Sequence, residues 1–307
     1  MRSPDLSFEL AGVTFKNPVL TASGCFGYGA EQDGLCDISR LGGICTKGLS
    51  LAPRPGNPPP RIRETVAGML NSIGLENIGI DAFIEEKVPL LTGVDTVVVA
   101  NLFGVAVEDY ARLCARADDC GRIDAVELNI SCPNVHEGGV EFGVDPVMAA
   151  KVTAAARRST SKPVIVKLSP NAGDRIVSVA RAVEEEGADA VSLINTISGM
   201  AVDVRSRRPW IAKTYGGLSG PAIRPIALRM VHLVAGSVKM PLIGIGGIST
   251  WEDAAAFVLA GASAVQVGTA CFVDPSAPER MASGLAEWVA EQGASSVSEL
   301  VGALRSE

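Results

Sequence analysis

The sequence predicts an α/β fold: a (β/α)8 TIM barrel with an N-terminal hairpin and long rim loops, spanning residues 1–307 as a single domain. Three observations predict it. Eight short apolar runs, rich in Val and Ile and bounded by turn residues, recur along the chain. Helical patterns separate most of them, the alternation that builds a parallel sheet buried on both faces. Eight is also the strand number that closes such a sheet into a barrel. An open doubly wound sheet is the competing architecture, but no GxGxxG follows the first strand.

LSFEL and VTFKN, joined around Ala11-Gly12, read as a hairpin covering the lower end of the barrel. The strands follow as PVLTAS (18–23), GGICTKG (42–48), DTVVVANL (95–102), DAVELNI (124–130), PVIVKLS (163–169), DAVSLIN (189–195), PLIGIGG (241–247) and SAVQVGT (263–269). Asp145-Pro146 caps and opens a helix over VMAAKVTAAARRS. In RIVSVARAVEEEG, Ile176, Val179, Ala180 and Val183 form one apolar stripe, and Gly187 stops the helix. In STWEDAAAFVLAG, Ser249 and Glu252 have capping-box spacing, and Gly261 sits where a helix-ending glycine belongs. Segments 49–77, rich in proline, and 198–220, rich in glycine and arginine, follow strand C-termini and read as lids or rims.

The net charge is −7, which argues against a nucleic-acid partner, since that would need a basic face. No apolar run reaches the length of about 18 residues that marks a membrane span. The opening residues lack an apolar core segment or an amphipathic anchor, so neither secretion nor membrane docking is indicated. The seven cysteines are odd in number, irregularly spaced and without a CxxC, a pattern that fits reduced thiols in the cytoplasm and disfavours a zinc or iron–sulfur site. Only His136 and His232 are present, so the usual acid–base residue for neutral pH is almost absent.

A barrel gathers the C-terminal ends of its strands at one mouth. Those ends read Ser23, Lys47, Asn101, Asn129 with Cys132, Lys167, Asn195 with Thr196, Gly246-Gly247 and Gly268-Thr269. GIGGIS after the seventh strand and VGTA after the eighth fit a phosphate site, because glycine lets backbone N–H groups approach an anion; tight turns alone are the plainer explanation. Lys47 and Lys167 suit an anion or a Schiff base, or simply keep their charges wet. Asn71, Asn129 and Asn195 suit a flat ligand with amide and carboxylate edges, or loop backbone. Cys132 sits past its strand in a polar SCPN loop, which favours a general base or nucleophile over a packed thiol. Cys25, Cys36, Cys45, Cys114, Cys120 and Cys271 read as small buried hydrophobes. The arginines of 54–63 and 204–210 read as a solvated rim.

NISCPN, AGMLNSIGLEN (67–77), TKG (46–48), GGLSGPAIRPIALRMV (216–231) and IGIGGI (243–248) together resemble the class 1B dihydroorotate dehydrogenases over nearly the whole chain. The resemblance implies an FMN-containing barrel of pyrimidine biosynthesis that oxidises dihydroorotate to orotate. It implies Cys132 as the base for the C5 proton. It implies FMN contacts at Ser23, Lys47, Gly48, Asn101, Asn129, Lys167, Ile194, Gly220, Gly246, Gly247, Gly268 and Thr269, and Lys167 as the group that steadies the negative charge arriving with the hydride. Lys47, Asn71, Ser72, Ile73, Gly74, Leu75, Asn129, Asn195 and Thr196 match substrate positions. The resemblance further implies a partner subunit carrying FAD and a [2Fe–2S] cluster, with NAD+ as final acceptor, and a homodimer within a heterotetramer. The class 1A enzymes, which use fumarate, share the cysteine, but the loops at 53–62 and 135–143 look more like class 1B. Glu76 stands where the resemblance implies glutamine and adds a negative charge near an anionic substrate. Outside this family, a Schiff-base aldolase, a tRNA-modifying flavin reductase or a non-catalytic phosphate-ligand binder would also use such a mouth.

Overall fold

In the computed structural model, which describes residues 3–32, 34–131 and 141–305, eight parallel strands close a barrel. They are Val19–Thr21, Gly43–Cys45, Val97–Leu102, Ala125–Asn129, Val164–Lys167, Ala190–Leu193, Leu242–Ile245 and Ala264–Val267. Their spatial order is their chain order, and the last strand pairs with the first through Val265↔Val19 and Val267↔Thr21. Each lies within its predicted run. Helices Val107–Asp118, Pro146–Arg157, Ile176–Glu185, Arg224–Ala235, Trp251–Leu259 and Ala277–Glu291 wrap the outside. Between the first two strands the alternation relaxes to short 3-10 turns at Ala30–Gln32 and Ile38–Arg40. Among the described residues no helix is long and apolar enough to cross a membrane.

Local chemistry sets the helix ends. Asp145 accepts a hydrogen bond from the Val147 amide at 3.0 Å, with Pro146 in the first turn. Gly187 and Gly261 follow their helices at φ +87° and +117°, conformations that cost a residue with a β-carbon about 1–2 kcal/mol. The capping box lies one residue later than its spacing suggests. Thr250, not Ser249, accepts from the Asp253 amide, and Asp253 rather than Glu252 reaches back to the cap. Neighbouring hydroxyls and neighbouring acids make both registers available, and the shorter aspartate takes the contact.

Strand side chains alternate between two apolar environments. Val98, Ala100, Val126, Val164 and Val191 face the helices, where Tyr110, Phe257 and Leu285 are fully buried. Burying each such large side chain contributes about 1.5–3 kcal/mol. Inside the barrel, Leu20, Cys45, Val97, Val99, Ala125, Ile165, Ala190, Ile243 and Ala264 form a second cluster. The hairpin Phe8–Leu10/Val13–Phe15 turns at Ala11 (φ 45°) and Gly12 (φ 85°), and Leu10 and Phe15 join the interior cluster from below. The lower end is plugged, so chemistry is confined to the mouth.

The two segments expected to be rim loops fold further than that. Ile62–Thr65, Gly68–Asn71, Ile197–Gly199 and Gly216–Ser219 make a four-stranded antiparallel sheet over the mouth, with Asn71 opposite Gly217. A small hairpin, Val202–Asp203 with Arg208–Pro209, projects beyond it.

Candidate active site

With a residue period of two, the inner face of each strand runs from the apolar plug towards the mouth. Ala125 is followed on that face by Glu127 and Asn129, Ile165 by Lys167, Ala190 by Ser192, and Ala264 by Gln266. A polar layer therefore sits directly above the apolar one. The strand register places Asn129 opposite Lys167 and Lys167 opposite Ser192.

At the centre of this layer is Glu127, wholly removed from solvent. Its Oε2 accepts hydrogen bonds from Ser192 Oγ and Gln266 Nε2, both at 2.7 Å. Its Oε1 accepts from Asn101 Nδ2 at 2.7 Å and from the Cys45 thiol at 3.2 Å, and lies 3.7 Å from Lys167 Nζ. Burial alone would push this carboxyl up; the Lys167 cation and the bonds from Ser192, Gln266 and Cys45 outweigh it and hold the group below the usual glutamate range. Glu127, Ser192 and Gln266 were not among the residues singled out from sequence. The available signal was one polar residue inside each apolar run, one or two places before the strand end.

Above the layer opens a cleft of about 660 Å3. It is lined by Ser23, Lys47, Gly48, Asn101, Asn129, Lys167, Asn195 and Thr196 from the strand ends, and by Asn71, Ser72, Ile73, Gly74 and Leu75 from the rim. Asn195 Nδ2 donates to Asn129 Oδ1 at 3.2 Å, and the Thr196 amide donates to Asn195 Oδ1 at 2.8 Å. Asn71 Nδ2 reaches Gly217 O at 3.2 Å, fixing it to the facing strand. Cys132 lies outside the described residues, as do 133–140, which include His136 and most of the 135–143 loop.

The three cations of the cleft differ in what they face. Lys167 has Glu127. Arg61 forms an ion pair with Glu76, so Arg61 belongs to the cleft rather than to a solvated rim, and the charge of Glu76 is met within the protein. Lys47 has no carboxylate or acceptor within reach among the described residues, which leaves its ammonium for an anion. Cys25 also lines the cleft and is only half-buried, unlike the packed thiol expected. Desolvation, opposed by Lys167, pushes its thiol up to about 11, so it stays protonated at neutral pH.

Ile194, Gly220, Gly246, Gly247, Gly268 and Thr269 do not line this cleft; they gather beside it. A β-carbon on Gly247 (φ +71°) would stand 2.7 Å from Gly220 O and 2.8 Å from Arg224 Cβ, at the start of helix Arg224–Ala235. One on Gly220 would stand 2.7 Å from Gly68 Cα and 3.4 Å from Thr269 Cγ2. Thr269 Oγ1 donates to Ser219 Oγ at 2.8 Å, and Ile194 packs beneath Gly246. Three loops thus approach one another closely at glycines, beside the start of helix Arg224–Ala235. Gly268 connects this cradle to the cleft past Cys25.

A family model for dihydroorotate dehydrogenase matches residues 5–289. The chain belongs to the dihydroorotate dehydrogenase family. It is 57% identical over 301 residues to a protein of Pelobacter propionicus named dihydroorotate dehydrogenase B (NAD(+)), catalytic subunit, covering 98% of this chain and 99% of that one. Proteins of the same name from Geobacter sulfurreducens and Geotalea daltonii are 57% and 55% identical, each over 99% of this chain and 99% and 100% of theirs. As a dihydroorotate dehydrogenase, the chain is an oxidoreductase.

The donor set fits the FMN that this family membership implies. Asn101 Oδ1, which lines the cleft, is a buried acceptor without a partner among the described residues, of the kind an isoalloxazine N–H would satisfy. Lys167 offers donors to the ring carbonyls, and the glycine cradle suits the phosphate.

Proposed function

We propose that this chain, acting as one domain in the cytoplasm, oxidises dihydroorotate to orotate on FMN for de novo pyrimidine biosynthesis. The observation that carries the reading is the charge arrangement of the cleft: Lys47 without a carboxylate among the described residues, beside Asn71, Asn129 and Asn195, while Lys167 and Arg61 are each neutralised. Dihydroorotate has one carboxylate and a ring of amides, and that set matches both. Lys47 holds the carboxylate, the asparagines and Thr196 hold the ring edges, and Ser72 to Leu75 close over it.

Cys132 takes the C5 proton as its thiolate becomes a thiol. Bound FMN supplies the acceptor for the C6 hydride. Loss of proton and hydride leaves the C5=C6 double bond of orotate, and the thiol returns its proton to solvent. Asn101, Asn129, Lys167, Ser23, Gly48 and the backbone from Ile194 would hold the ring system of FMN, and Gly220, Gly246, Gly247, Gly268 and Thr269 would hold its phosphate. The rim sheet excludes water during proton removal.

The names of the relatives support two further parts of the proposal, NAD+ as the final acceptor and a separate subunit on the way to it; the proposal adds that this subunit carries FAD and a [2Fe–2S] cluster, in a complex with two copies of each chain. Class 1A chemistry and the aldolase are set aside, the first on those names and the second on family membership. The test is the visible spectrum of protein loaded with FMN, under anaerobic conditions, before and after dihydroorotate. Bleaching is expected. A flavin spectrum that ignores dihydroorotate overturns the assignment.

A further inference from the structure

The Glu127 cluster is more than the fold requires. A carboxylate in a barrel interior is costly to desolvate, and apolar side chains of matching volume often replace such networks with no loss of stability. The layer directly below, Ala125, Ile165, Ala190 and Ala264, is packed in that apolar way. The cluster also has a direction. Oε2 is anchored on Ser192 and Gln266, inside the barrel wall, whereas Oε1 meets Asn101 and Lys167, which both line the cleft. By taking the Asn101 amide N–H, Glu127 leaves Asn101 Oδ1 as the edge without a partner. One carboxylate thereby decides that the cleft floor shows an acceptor at Asn101 and a cation at Lys167, and places a negative charge behind both.

We infer that Glu127 is a positioning residue whose charge, acting through Lys167 and Asn101, lowers the reduction potential of the flavin bound above it. The inference rests on the FMN reading of the cleft. An ammonium alone would favour added electrons; a carboxylate behind it opposes part of that pull. Low potential suits an electron donor that must ultimately reduce a nicotinamide.

Glu127→Gln keeps the shape and removes the charge. The site can absorb the amide: the Ser192 hydroxyl can turn, and Gln266 can present its Oε1, which has no partner, to the new N–H. Glu127→Met removes the charge together with the acceptor for Ser192, Gln266 and Asn101, so agreement between Met and Gln separates charge from hydrogen bonding. Glu127→Asp keeps the charge and shortens the reach. Each FMN-loaded variant is equilibrated with reference dyes at pH 6. For Gln and Met the ratio of reduced to oxidised flavin is expected to rise about tenfold against wild type, about 30 mV for a two-electron couple. For Asp it should stay within about threefold. A merely structural glutamate would make Asp at least as damaging as Gln. Neutral variants that bind FMN at the wild-type potential overturn the inference, as do neutral variants that fold but no longer hold FMN. A wild-type chain that takes up no FMN overturns the cofactor reading itself, a different and separately visible failure.

Discussion

Lys167 Nζ and Glu127 Oε1 face each other 3.7 Å apart inside the barrel, the ammonium almost and the carboxylate wholly out of solvent. The ion pair forms the floor of the cleft, and its acid dependence has a definite sign. Glu127 is held below the usual glutamate range, so its contribution to stability is fully present above about pH 4.5 and is lost as pH falls through the depressed folded value. Wild type should therefore lose stability faster than Glu127→Gln below about pH 4, in denaturant titrations repeated at successive pH values. Parallel curves for the two proteins would count against a charged Glu127.

Cys132→Ser should keep the fold and the flavin while slowing flavin reduction by roughly 10²–10⁴-fold, the range for losing a positioned general base. The deficit should shrink at high pH, because a hydroxyl gives up its proton less readily. Stopped-flow traces at pH 7 and 9.5 measure both effects. Near-normal reduction at pH 7 would return Cys132 to an ordinary packed thiol.

Alkylation provides a second view of the thiols. Cys25 is pushed up to about 11, and Cys36 and Cys114 to about 12; Cys45 and Cys271 are raised too, in each case chiefly by burial. Thiolate is the reactive form, so these five should stay unlabelled by iodoacetamide at pH 7.5. Peptide mass spectrometry is expected to find Cys132 modified before any of them, with dihydroorotate or orotate protecting it.

Lys47→Ala removes the one cleft cation without a carboxylate among the described residues. A charge-assisted hydrogen bond contributes about 1.5–3 kcal/mol, so orotate should bind roughly 10–150-fold more weakly in a titration of the flavin spectrum. Glu76→Gln should do much less, within about threefold, because the Arg61–Glu76 pair is about a third exposed and such pairs contribute little. Equal losses in the two variants would undo the charge argument for Lys47.

The chain alone should reduce dyes or oxygen with dihydroorotate yet turn over NAD+ negligibly, since it has no dinucleotide fingerprint and no cysteine spacing for an iron–sulfur centre. Adding the electron-transfer subunit should restore NAD+ reduction. Steady-state assays with NAD+, fumarate and a quinone in turn separate the possibilities: brisk fumarate reduction would point to class 1A, and NAD+ reduction without a partner would refute the electron path.

Much of this was legible in the sequence. Strand ends such as Asn101, Asn129 and Lys167 stood out because an apolar run stops at a polar residue, and a closed barrel carries every such end to one mouth. Glu127, Ser192 and Gln266 did not, because one polar residue within a strand looks like ordinary alternation until closure brings three strands onto a common axis. The rim sheet was equally silent: GMLN and GGLS contain glycine and no β-branched residue, so pairing with neighbours, not intrinsic propensity, makes them strands. The Arg61–Glu76 pair depends on two loop segments meeting, which no local pattern encodes.

Asp5 lies beside Ser296: its amide donates to Ser295 O at 2.9 Å, and the Val297 amide donates to Asp5 O at the same distance. With the first barrel strand zipped to the eighth and the hairpin plugging the interior, the polypeptide is close to a ring. Closing a loop of some 290 residues costs entropy that grows only with the logarithm of its length, so the seam is a modest burden on stability. Its effect falls on cooperativity: the amides of Asp5 and Val297, though near the chain's extremities, should exchange with solvent only when the whole barrel opens. Ends that exchange much faster than the strand amides would mean the seam frays on its own.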